Sequence, residues 1–171
     1  MLYTLLSAVG LSYIYTFITA APCILISHFQ VPEHQFGYYQ AVIVAAYFFG
    51  SLTATRLVDS WGSTRVLNFG LGSCLLGAML LVAVIFSNLL SPYTLVAGNV
   101  LIAFGIGPIF AVSPSRAMSA VVKSVGSAAA VFGSLEVGLS GIVAAMVSVY
   151  HDGTARPYGI IIGLTAVCMI L

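Results

Sequence analysis

The chain has 171 residues, of which only 5% are charged and 61% are apolar, and its mean hydropathy is +1.14. So few charged side chains cannot cover a soluble fold of this size, so the composition excludes a water-soluble domain and points to lipid as the solvent. The net charge of +1 comes with no basic run, which argues against a nucleic-acid partner because no phosphate-neutralising patch exists.

Charged and turn-forming residues divide the chain into six apolar segments, at about 3–27, 37–56, 66–87, 93–113, 126–149 and 157–171. No Lys or Arg precedes the first segment, so it reads as a membrane helix and not as a signal peptide. The next break holds Glu33, and the third holds Ser87, Asn88 and Pro92. Five segments are long enough to cross ~30 Å of hydrocarbon. The sixth falls short, and the first starts with no polar leader, so both ends are expected to belong to a longer protein. The expected fold is all-α: a single six-helix transmembrane domain.

Loop charges set the expected orientation. Arg56 and Arg65 follow the second helix, and Arg116 and Lys123 follow the fourth. The opposite loops carry Arg156 beside Glu33 and Asp152. Basic loops stay in the cytoplasm, which puts both termini inside a multi-pass cell (inner) membrane protein.

The first and fourth helices share a pattern. Pro22 and Pro108 stand 86 residues apart, each after a small residue and before apolar residues and a serine. Each proline removes a backbone donor and can kink its helix. Paired interruptions of this kind suggest a 3+3 inverted repeat around a central pathway. The tyrosines and threonines of the first two helices set them apart from the almost purely aliphatic stretch from Leu71 to Phe86. That contrast assigns helices one, two, four and five to a pathway and three and six to the lipid.

Glu136 is the sharpest chemical feature. It lies about 15 Å into the fifth helix, where an ionisable group must face protein or water, or be protonated. Such a carboxyl suits a proton carrier or a cation-binding group; a structural carboxyl bonded to a neighbouring helix is the other reading. Asp59, Gly62 and Arg65 lie in the loop between helices two and three, where Gly62 permits a tight turn and the charges could bridge helix ends. Two positive-inside anchors and a turn explain the same residues. Cys23, Cys74 and Cys168 sit in apolar stretches without a close pair, so neither a disulfide nor zinc is expected. His28, Glu33 and His34 are too few for a metal site. Walker and serine-hydrolase patterns are missing, so no enzyme activity and no bound cofactor are expected.

Taken in order, Tyr15 to Pro22 with Phe36-Gly37, Asp59-x-x-Gly62-x-x-Arg65, Gly107 with Pro114 and Ala117, and Gly126-Ser127-Ala128 with Gly133 resemble the C-terminal half of a major facilitator superfamily transporter, of the Bcr/CflA drug:proton antiporter type. The loop departs from the family pattern at Thr55, Ser60, Ser63 and Thr64, and Ser115 stands where Asn often follows the proline. The resemblance implies half of a proton-coupled multidrug efflux antiporter, driven by the proton gradient and exporting small lipophilic compounds by alternating access. It implies a partner N-terminal six-helix half, with Asp59, Gly62 and Arg65 as a cytoplasmic loop gate. It also implies a cavity lined by Tyr15, Thr19, Tyr47, Phe104, Phe132 and Glu136. A truncated, non-transporting remnant and a small self-associating channel or carrier stay open as alternatives.

Overall fold

The computed structural model describes residues 2–87, 90–119, 125–149 and 156–168. Lys123 and Asp152, expected in opposite loops, and the last residues of the sixth segment lie outside that set. Among the described residues six α-helices follow one another: α1 (Leu2–Pro22), α2 (Glu33–Trp61), α3 (Ser63–Phe86), α4 (Pro92–Ser119), α5 (Val125–Val149) and α6 (Arg156–Cys168). The first five are long and apolar enough to cross a membrane, so the chain is a multi-pass helical membrane protein. The described part of α6 has 13 residues, about 20 Å of helix at ~1.5 Å per residue.

Local chemistry fixes the helix ends. Pro22 closes α1, and the chain continues as a π-helical segment, Cys23–His28, rather than stopping. Proline cannot donate to the carbonyl four residues back, so the helix widens there. Pro32, at φ −56° and ψ 139°, points the backbone into α2, and Glu33 complements the positive end of the helix dipole. Gly62 has φ +79°, a conformation only glycine adopts cheaply, and this single residue turns α2 into α3. At α4, the Ser91 amide donates to Thr94 Oγ1 at 2.9 Å and the Thr94 amide donates to Ser91 Oγ at 3.3 Å. This reciprocal cap, with Pro92 in the first helical position, starts the helix.

Helices α2 and α4 exceed their expected spans of 37–56 and 93–113. Hydropathy marks the part of a helix that sits in lipid, and backbone hydrogen bonding carries the helix past it. Pro114 does not end α4 either.

The most extensive helix pairings are α3 with α4, α2 with α4 and α1 with α5. Helix α4 is the most enclosed of the five spans, followed by α1, while α2 and α5 leave most of their surface open. Helix α3 buries one face and leaves Leu76, Met79 and Phe86 exposed on the rest of its surface. Gly70, Cys74, Gly77, Ala78 and Leu81 are buried, and its small residues serve close packing. A Cβ on Gly70 would lie 2.7 Å from the Gly105 carbonyl oxygen, and one on Gly77 would lie 2.9 Å from that of Gly98. Lipid tails are as apolar as leucine, so contact between helix backbones replaces hydrophobic burial as the cohesive force.

Candidate functional site

Helices α1, α2 and α4 enclose a groove of about 320 Å³, lined by Tyr13, Phe17, Gln40, Tyr47, Ile106 and Phe110. The Tyr47 ring meets Phe110 edge-on, with centroids 6.4 Å apart. Gly10 of α1 lets Phe110 approach, since a Cβ there would lie 3.2 Å from the ring. Edge-to-face pairing is a favoured arrangement for two aromatic rings and holds Tyr47 and Phe110 against each other.

Glu136 of α5 is half-buried. The hydroxyl of fully buried Ser7 on α1 donates to its Oε1. One turn further along α5, Ser140 Oγ donates to the Glu136 backbone carbonyl, and its own side chain is buried. Tyr47 is within electrostatic reach of the Glu136 carboxyl. The site therefore holds a hydrogen-bonded carboxyl near an aromatic-lined groove.

A second polar cluster lies deeper. Asn99 of α4 has no exposed surface. Its Oδ1 accepts from the hydroxyl of Tyr13 on α1 and, at 2.7 Å, from that of Tyr158 on α6. Its amide nitrogen donates to the Leu95 carbonyl at 2.7 Å. Both tyrosines are buried, so one amide joins three helices where no water competes.

The expected site residues divide into groups. Glu136 and Tyr47 lie within electrostatic range of each other. Phe104 does not join them: its ring meets Phe69 edge-on at 6.2 Å. Tyr15 and Thr19 are exposed on α1, with Thr19 Oγ1 donating to the Tyr15 carbonyl at 2.9 Å. Phe132 is half-buried one turn before Glu136. Pro108 is buried and packs toward Gly70, whereas Pro22 is exposed, so the two prolines occupy different surroundings. Gly62 makes the expected turn, while Asp59 and Arg65 are exposed and form no ion pair with each other. Ser7, Phe110, Asn99 and Tyr158 did not stand out in sequence. Asn99 carried the clearest signal, an amide in the middle of an apolar run.

A bundle of membrane-spanning helices with an apolar, aromatic-lined groove and a carboxyl on one span defines a multi-pass membrane protein. No family model matches the chain. It is 28% identical over 157 residues to the "Chloramphenicol resistance protein" of Pseudomonas aeruginosa, which covers 91% of this chain and 38% of that protein. It is 26% identical over 161 residues to the "Bicyclomycin resistance protein homolog" of Haemophilus influenzae, covering 92% of this chain and 39% of that protein. These distant relatives agree with the resemblance to drug:proton antiporters of the Bcr/CflA type. The chain spans about two fifths of the length of the curated relatives it matches.

Proposed function

We propose that the chain forms one half of a proton-coupled multidrug efflux antiporter, exporting small lipophilic compounds by alternating access. It works in the inner membrane with both termini cytoplasmic, beside an N-terminal six-helix half, and it draws on the proton gradient without a cofactor or enzymatic step. The observation that carries this reading is the Glu136 carboxyl, which accepts from Ser7 within electrostatic range of Tyr47, a residue of the aromatic groove.

The proposed mechanism uses those groups directly. A protonated Glu136 is neutral and tolerates the low-dielectric state. Loss of the proton leaves a carboxylate that Ser7 stabilises and that a cationic compound neutralises. Tyr47 and Phe110 offer ring faces to the apolar part of the compound. Two extensive pairings support the 3+3 inverted repeat: α1 with α5, and α4 with α2. Exchanging the first three helices for the last three turns one pairing into the other.

The test is Glu136→Gln in the assembled transporter. Resistance of an efflux-deficient host to a lipophilic cation should fall at least tenfold, and compound-dependent proton flux in vesicles should stop. Unchanged flux would remove Glu136 as the proton carrier. Loss of flux with a retained, gradient-independent leak of the compound would favour a channel.

A further inference from the structure

Helices α2 and α3 diverge from the Gly62 turn and make few contacts with each other compared with their packing on α4. Three rings line up in the opening. Trp61 at the end of α2 meets Phe69 of α3 edge-on at 6.3 Å, and Phe69 meets Phe104 of α4 edge-on at 6.2 Å. Trp61 is 47% and Phe69 40% exposed. This ladder lies outside the groove described above. It starts at the helix ends, where headgroups lie, and runs toward the bilayer interior.

Arg65 stands one turn before Phe69, about 6 Å nearer the end of α3 and on the same side of the helix. It is exposed. No side chain caps the first turn of α3, so that turn presents backbone donors beside the guanidinium. Of the other charges toward this end of the bundle, Arg56 and Asp59 are exposed on α2, and Arg116 stands in the last turn of α4. Asp59 precedes Trp61 by two residues and therefore points to the opposite side of the helix, away from the ladder. The ladder end is thus cationic, with a rigid aromatic surface leading inward from it.

We infer that this corner binds one anionic phospholipid, its phosphate against Arg65 and the start of α3 and an acyl chain along Trp61, Phe69 and Phe104. Guanidinium groups recognise phosphate in a planar, bidentate way. Indole rings settle at the headgroup level. The charge complementarity selects an anionic headgroup over a zwitterionic one.

Trp61 is the one tryptophan in the chain, so its fluorescence reports this corner alone. The chain is reconstituted into phosphatidylcholine vesicles containing a small fraction of either brominated phosphatidylglycerol or brominated phosphatidylcholine, both of which quench indole on contact. Quenching should favour the glycerol lipid about fivefold in apparent affinity, and Arg65→Gln should bring that ratio near one while leaving quenching by phosphatidylcholine unchanged. Arg56→Gln should leave the ratio largely in place. Equal quenching by both lipids in the unmodified chain overturns the proposal, as does a glycerol-lipid preference that survives Arg65→Gln. Absence of quenching by either lipid also overturns it, because the ladder would then be covered by protein.

Discussion

Asn99 gathers hydrogen bonds from two tyrosine hydroxyls in a region without exposed surface. Replacing it with leucine removes one acceptor and strands two phenols. The expected cost is about 1–3 kcal/mol, read as a lowered midpoint of thermal unfolding in mild detergent. Tyr13→Phe removes one bond and leaves Tyr158 on Asn99, so its cost should be near ~0.6 kcal/mol. A Tyr13→Phe loss as large as that of Asn99→Leu would mean that the node does not behave as two separable bonds. The same residues show what sequence can and cannot reveal. Glu136 was legible because a charge in an apolar run is conspicuous. Tyr13 and Tyr15 were not separable, although two positions along a helix place them ~200° apart. One is buried and the other exposed. Phe104 and Phe110 differ likewise, by ~240° around α4, and face different neighbours. Residue type fixed neither face; the packing partners did.

At the scale of the helix, close backbone approach governs α4. A Cβ on Gly107 would come within 2.7 Å of the Tyr47 carbonyl oxygen and of the Gly50 carbonyl carbon. These are backbone atoms, which cannot swing aside. Gly107→Ala should therefore push α4 off α2 and destabilise the chain by about 1–3 kcal/mol. Gly72 of α3 has no atom within 4 Å of where its Cβ would lie. Gly72→Ala should be neutral or stabilise by up to ~1 kcal/mol, through helix propensity alone. Chemical unfolding of the two variants in the same detergent checks both signs. The glycine pattern could not be sorted from sequence, since packed and open glycines look alike there. The helices themselves were legible as six apolar runs. Their ends were not, because Glu33 to Phe36 and Leu57 to Trp61 continue helical hydrogen bonding beyond the apolar stretch.

At the scale of the molecule, α5 is the least enclosed of the five spans. Gly126, Ala130, Ser134 and Gly138 recur every fourth residue, and all are exposed. An added Cβ at Gly126, Gly133, Gly138 or Gly141 would meet nothing within 4 Å. The glycines of α4, and Gly70 and Gly77 of α3, meet a neighbouring helix, whereas those of α5 stay open along its length. In lipid, small residues one turn apart allow another helix to pack closely. The chain also spans only 38–39% of its curated relatives. Under the two-half reading, this stripe meets the N-terminal half. Gly138→Leu then has a divided outcome. The thermal stability of the chain alone should stay within ~0.5 kcal/mol, since among the described residues no atom lies within 4 Å of an added Cβ there. Its association with a co-expressed first half, followed by energy transfer between labels on the two halves, should weaken about tenfold or more, and resistance should fall with it. Unchanged association and resistance would exclude the stripe as the interface between halves. Reduced self-association of the chain alone would instead favour two copies packing through α5, the arrangement a self-associating channel requires.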